Sequence, residues 1–544
     1  MKKFTYTCGT CARQAAIGYA TRFVNDSVHD EVGTRPSSIS YPDMTKLSFL
    51  ARTSILIAFL FFLDKILALV RAKFSLDIFG LTSQFDAFNA ANNLPDLLFA
   101  LISGGALAMA FIPVLSGTLT LKGRDALWDV FSRVANIAFI GTAVISIFVA
   151  IFADQIVRAE IGITPGFNPE LQTLVAELMR LNLIATLIFS ISGLVMAGLQ
   201  ANQHFLFPAL APIMYNVGQL FGIIFLVPRF GVYGLVYGAL LGAFLHLLIQ
   251  VPGLVKYRFR WTPALSINNP EVIDAFKLVG PRLLTMFMIQ LMFIARDNLA
   301  SRLDQEGTVS ALTYGWMIMQ VPETILGTAI ATALLPTLSE HAARGSWDGF
   351  RQTIEKAIRV LIALTLPIAA VMAAGIHPLL RLVFGGLNQT ETFLLTWTVR
   401  MYLITLCGYS IHEVAVRAFY ARKEAWFPLR AVAIRLAIYL VIGISVVAFF
   451  PHFGAPGIAI AEISLTIEAI ILFIWLSRRL QEPVRINGAL FKGLIAALIG
   501  GVLAYGLALY LPGSAVLTAL LGMIVGGLVA LPLIWSEIKL LLKL

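Results

Sequence analysis

From Ser48 to Leu542 the chain is a succession of apolar runs of about 20 residues or more, broken only by short polar stretches. A run of that length matches an α-helix crossing the hydrocarbon of a bilayer, and no interval is left for a sizeable soluble domain. The runs are continuous and lack a two-residue alternation, which excludes a membrane β-barrel and leaves helices whose backbone groups are satisfied internally. With 58% hydrophobic and 13% charged residues, lipid must cover most of the surface. The expected fold is an all-α polytopic membrane protein of about 14 transmembrane helices. The spans fall near residues 48–72, 86–117, 127–153, 172–199, 205–227, 232–254, 272–302, 308–338, 351–374, 393–420, 428–450, 455–478, 488–511 and 515–542.

A net charge of +10 could suggest nucleic acid, but the basic residues lie between apolar runs rather than in one stripe. They sort by alternate breaks. Lys122, Arg124, Lys256, Arg258, Arg260, Arg344, Arg351, Arg422, Lys423, Arg478, Arg479 and Arg485 fall on one side, while Lys73, Arg158, Arg229, Arg302 and Arg381 are spread over the other. The positive-inside rule makes the first side cytoplasmic, with both termini inside and a multi-pass chain of even span number.

Residues 1–43 are polar and of mixed charge, and read as a disordered extension or as the result of an early start codon, with Met44 the true start. Cys8 and Cys11 form a lone CxxC, half of a zinc site, so no metal is expected. No P-loop, HExxH or nucleophile elbow is present, so an enzyme is not expected, nor a cofactor. Energy for any transport must come from a coupling ion, the membrane potential or consumption of product.

An internal repeat organises the chain. Phe207-Pro208 recurs as Phe427-Pro428, Pro228-x-Phe230-Gly231-x-x-Gly234 as Pro451-x-Phe453-Gly454-x-x-Gly457, and Pro113-Val-Leu-Ser116 as Pro336-Thr-Leu-Ser339, all offset by about 220 residues. Six spans fill that interval, so the halves are parallel repeats: a six-helix lobe over 44–265, a second over 266–482, and two additional helices over 483–544.

Ionised side chains within spans are costly and mark wet cavities or partners. Arg71 and Arg296 stand near the repeat offset and are expected to face one another; Lys65, less than two turns before Arg71, is expected to join them. Such a cationic cavity would suit a diphosphate, gripped by arginine forks. Asp64, Asp86, Asp297, Asn216, Glu413 and Arg417 are the further gate or cavity candidates, and His412 beside Glu413 could form a proton relay.

Phe79-Gly80, Asp86-Ala87-Phe88, Leu94-Pro95-Asp96-Leu97-Leu98 and Ala110-Phe111-Ile112-Pro113-Val114-Leu115 resemble the opening of the MurJ/MviN family. The run Phe207-Pro208-Ala209-Leu210-Ala211-Pro212-Ile213-Met214-Tyr215-Asn216 resembles its FPAxAPxxxN signature, and Val321-Pro322, Leu334–Ser339 and Phe419–Arg422 resemble later landmarks. The resemblance implies a lipid II flippase of the multidrug/oligosaccharidyl-lipid/polysaccharide exporter superfamily: two lobes around a central cationic cavity that alternates its access, with a groove for the lipid tail on the last two helices. It implies a lipid-linked diphosphate saccharide as substrate and cell-wall synthesis proteins as partners, and it carries family positions onto Lys65, Arg71 and Asp86. The chain departs from the family at Ala72, where an acid is common, at Phe99 and Met317, where arginines are expected, and at Gly104 and Gln320, where glutamates are. Arg296 is expected to supply the missing cation from the neighbouring helix. An exporter of another polyprenyl-diphosphate saccharide and a non-transporting scaffold of the same fold stay open as alternatives.

Overall fold

With no water to satisfy backbone groups in the bilayer core, apolar runs of this kind have only the helix open to them, and every regular element among the described residues is helical. The computed structural model describes residues 49–102, 106–265, 270–480 and 484–540. The proposed extension and its CxxC lie outside them, as does Gly104.

The first half holds α1 (Phe49–Phe79), α2 (Ser83–Ala91), α3 (Asn93–Ile102), α4 (Ala106–Lys122), α5 (Arg124–Ile151), α6 (Ala153–Arg158), α7 (Pro169–Ala201), α8 (Leu206–Phe221), α9 (Tyr233–Leu248) and α10 (Val251–Lys256). The second holds α11 (Pro270–Ser301), α12 (Thr308–Glu323), α13 (Ala329–Arg344), α14 (Trp347–Val383), α15 (Gln389–Ile404), α16 (Leu406–Ala421), α17 (Trp426–Phe449), α18 (Gly454–Ile460) and α19 (Ile463–Ser477), followed by α20 (Asn487–Tyr510) and α21 (Ala515–Ile538). Among the described residues, eleven helical stretches are long and apolar enough to cross a membrane. Several of the expected spans are interrupted, two of them by polar side chains that return to their own backbone. The run 86–117 is interrupted at Asn92, between α2 and α3, where the Asn92 amide turns back onto the Phe88 carbonyl at 2.9 Å; the run 393–420 is interrupted at Thr405, whose hydroxyl donates to the Tyr402 carbonyl at 2.7 Å. Such side-chain bonds offer the backbone an alternative to the helical ladder.

The repeat seen in the sequence recurs in the backbone. Gly231 and Gly454 both take positive φ, 56° and 57°, with ψ of −136° and −142°, a conformation closed to residues with a Cβ. Gln203 and Lys423, 220 positions apart, match too, at φ of 59° and 60°, each just ahead of its Phe-Pro helix start.

Packing relies on small residues where helices meet. A π-helical turn, Gly222–Leu226, continues α8, and a Cβ on Gly222 would stand 2.4 Å from the Cα of Gly238 in α9. Gly222→Val is therefore expected to force the two helices apart at a cost of about 1–3 kcal/mol, visible as a lower thermal unfolding midpoint of the detergent-solubilised protein. The terminal pair α20 and α21 packs on α14. There the fully buried Glu537 receives Arg359 at 2.9 Å and Lys492 at 2.8 Å, clamping three helices.

Candidate functional site

A cavity of about 740 Å³ lies between the two halves. Its wall takes Arg71 and Ser75 from α1, Asn89 from α2, Asn93 and Asp96 from α3, and Tyr215 and Gln219 from α8. The second half adds Gln290, Phe293, Arg296 and Asp297 from α11 and Thr313, Tyr314, Trp316 and Met317 from α12.

The two arginines stand in different settings. Arg71 donates to the side-chain oxygen of Gln219, whose amide in turn donates to the Tyr215 hydroxyl at 2.9 Å. Among the described residues it has no carboxylate at ion-pair distance. Arg296 is 6% exposed; its Nε meets Asp297 Oδ1 at 2.8 Å and its Nη2 donates to Thr313 at 3.0 Å, while Asn93 donates to the other Asp297 oxygen at 2.7 Å. Arg296 thus reaches α12, the helix on which Met317 stands in the same wall. Asp96 faces the cavity within electrostatic reach of Arg71. Two arginines and two aspartates line the space, so its formal charge balances and Arg71 is the cation left without a paired carboxylate. The expected cationic cavity thus carries acidic side chains as well: Asp297, named among the cavity candidates, and Asp96.

Lys65 does not join them. Six residues turn an α-helix through about 600°, which sets Lys65 and Arg71 about 120° apart, and Lys65 is exposed off the cavity wall. Asp64 accepts from Asn216 at 2.8 Å and ties α1 to α8 beside the cavity rather than within it. Glu413 and Arg417 pair with each other on α16, in a separate polar cluster of the second half. The amides Asn89, Asn92, Asn93, Gln219 and Gln290 escaped the sequence reading, although the string Asn89-Ala-Ala-Asn92-Asn93 inside an apolar run was a visible signal.

Asp86 sits at one end of the cavity, where the halves are stitched together. Only 2% exposed, it accepts the Ser310 backbone N–H at 2.7 Å in the first turn of α12. Around it Ser83 donates to Glu306 at 2.8 Å, Leu81 N–H to Glu391 at 2.9 Å, Lys73 to the Val383 carbonyl at 2.7 Å, and Arg302 to Glu160 at 2.9 Å. Among the described residues, the side-chain hydrogen bonds joining the halves gather at this end and on the cavity wall.

A helical membrane protein with two repeated halves around a polar, arginine-bearing cavity has the build of a membrane transporter. The sequence profile described as "Lipid II flippase MurJ" matches residues 76–525, and the chain belongs to that family. The lipid II flippase MurJ of Burkholderia cenocepacia is 26% identical over 428 residues, covering 77% of this chain and 82% of that protein. A solved structure described as lipid II flippase MurJ in an inward closed conformation shares the fold, with a TM-score of 0.74 at 20% identity, covering 88% of this chain and 98% of the other. An inward-facing multidrug resistance transporter of the MATE family matches at a TM-score of 0.63 and 15% identity, over 76% of this chain and 94% of the other.

Proposed function

We propose that this protein carries lipid II, the lipid-linked peptidoglycan precursor, across the bacterial cytoplasmic membrane by alternating access of the cavity between the two lobes. The observation that carries this reading is the placement of Arg71 and Arg296, from opposite halves, on one enclosed wall of a chain that belongs to the lipid II flippase family. A diphosphate entering the cavity takes the fork of Arg71 in place of Gln219, and its charge gains strength from the surrounding low dielectric. The amides of Asn89, Asn92, Asn93, Gln219 and Gln290 offer donors and acceptors to sugar hydroxyls and acetamido groups, while Trp316 and Phe293 offer apolar faces. The polyprenyl tail stays in lipid along α20 and α21. The hydrogen-bonded end carrying Asp86 is the outward gate, both termini are cytoplasmic, and the work is transport without covalent chemistry.

Depletion of the protein in its own host, with lipid II accessible from outside measured over time, tests the reading. Externally accessible lipid II is expected to fall as the protein is lost. Undiminished export in a host with no second flippase rejects the function, and build-up of a different polyprenyl-diphosphate saccharide assigns the protein to that cargo instead.

A further inference from the structure

A second polar cluster lies inside the second half, behind the cavity wall, and the proposed function leaves it unused. The eighth span carries Glu323 at the end of α12, followed by a π-helical turn, Thr324–Thr328, that leads into α13. Glu323 is 2% exposed, and its carboxylate accepts the Thr328 hydroxyl at 3.0 Å, while Glu413 Oε2 of α16 lies 3.5 Å from the same hydroxyl. One hydroxyl proton cannot serve both acceptors. Next to Glu413, His412 places its Nδ1 at 3.8 Å from the Glu413 carboxylate and its Nε2 at 3.4 Å from Glu468 of α19. Glu468 in turn lies 3.5 Å from Arg435 of α17, which is also paired with Glu462 at 2.8 Å.

Charge decides what this cluster needs. The carboxylates of Glu323, Glu413, Glu462 and Glu468 face two guanidiniums, Arg417 and Arg435, which leaves two negative charges in a lobe wrapped by lipid. An uncompensated buried charge is strongly destabilising. Protons meet the deficit: one on His412 between Glu413 and Glu468, and one shared by Glu323 and Glu413. A metal ion does not fit as well, because the two guanidiniums occupy the centre and, among the described residues, no three acidic, histidine or cysteine side chains converge to hold one. Two donors also stand unsatisfied. Arg435, 7% exposed, has a buried Nε without a hydrogen-bond partner, and His412 Nδ1 has none either.

The groups facing His412 come from several sides. Its own helix supplies Glu413 and the Tyr409 ring at 6.3 Å, α19 supplies Glu468, α17 supplies Arg435 through Glu468, and α12 supplies Glu323 across Thr328. The α13 side presents Thr332 to Arg417 at 3.1 Å. The face of α14 against α16 is the apolar Ile358, Leu361 and Ile362, with Cys407 of α16 nearby on its Thr365.

We propose that this cluster is a proton-binding site whose occupancy couples proton movement to transport. The coupling element is the eighth span. Its upper part, α12, lines the central cavity through Thr313, Tyr314 and Trp316, and Trp316 stacks on Tyr409 at 5.6 Å. Its lower part follows Pro322 and the π turn, the kind of interruption at which long helices bend. Deprotonated, Glu323 and Glu413 repel across Thr328 and open that bend; protonated, they share a hydrogen bond and close it. Protons entering the cell would thereby bias the head group outward.

This inference rests on the proposed transport of a lipid-linked diphosphate saccharide, and the test separates the two. The full-length protein is reconstituted into vesicles holding lipid II, with membrane potential clamped to zero and a pH gradient imposed, acid on the side toward which the head group moves. For one proton exchanged per head group, the steady-state distribution of lipid II is expected to shift by about tenfold per pH unit. Glu413→Gln and Glu323→Gln, each removing one of the two repelling carboxylates, are both expected to equilibrate lipid II without responding to the gradient; the second variant keeps the experiment decisive if the first misfolds. Transport by the wild type that ignores the pH gradient, or that follows a sodium gradient in its place, overturns the proton site while leaving the flippase intact. Absence of lipid II movement under every gradient overturns the transport reading, and the coupling falls with it.

Discussion

Arg71→Ala is expected to lower the rate of lipid II export on the order of 30-fold or more, because truncating one partner of an enclosed charge pair costs about 2–5 kcal/mol. The loss follows from the wall described above. Arg296 is committed to Asp297 and Thr313, whereas Arg71 has a neutral amide for its partner and is the guanidinium able to exchange that partner for a phosphate oxygen. Arg71→Lys keeps the charge but not the fork, so an intermediate loss of about tenfold is expected. Lys65→Ala, on the exposed face of the same helix, is expected to leave the rate within about twofold, as surface charges generally do. Rates measured in vesicles for all three variants check this. Equal losses for Lys65→Ala and Arg71→Ala would mean that both cations meet the head group, and that the cavity seen here is not where it binds.

The architecture was legible because it is written in run length and repetition. A chain of apolar runs can only be a bundle of membrane helices, and Pro228-x-Phe-Gly and Pro451-x-Phe-Gly mark two copies of one corner, down to the positive φ of Gly231 and Gly454. The breaks at Asn92 and Thr405 were not legible, since they come from side chains that return to their own backbone, which hydropathy does not register. Arg71 and Arg296 could be paired from the repeat offset alone. Lys65 could not be added to them, because proximity in sequence along a helix says nothing until the 100° per residue is counted. The balance of the cavity was hidden for a related reason. Asp297 follows Arg296 directly, and only the fold shows that the two pair inward, with Asn93 of the other half closing on the same carboxylate. Least readable was the second cluster. Glu323, Glu413, Arg435, Glu462 and Glu468 come from four helices, and what unites them is packing rather than any spacing in the chain.

The proposed outward gate offers the second large effect, and it turns on Asp86. Its carboxylate is buried at the N-terminus of α12, where it satisfies the free backbone N–H of Ser310 and faces the positive end of the helix dipole. A hydrogen bond to a charged group at such a site contributes about 1.5–3 kcal/mol. Unlike the ties of Ser83, Lys73 and Arg302, it is shielded from water, so it is the contact whose loss the closed end feels most. Asp86→Asn keeps the shape and an acceptor oxygen but removes the charge. The equilibrium between closed and open at this end is therefore expected to move about 10- to 100-fold toward open. A cysteine at Gln290 on the cavity wall, in a chain with Cys8, Cys11 and Cys407 changed to serine, reports the motion through a membrane-impermeant maleimide added from outside. Labelling is expected to be slow with Asp86 in place and faster by that factor with Asp86→Asn. Unchanged labelling would show that the seal is held elsewhere. In the proposed alternating-access cycle, a gate biased open slows return of the empty cavity to the opposite side, so export is expected to fall even though the proposed head-group site is untouched.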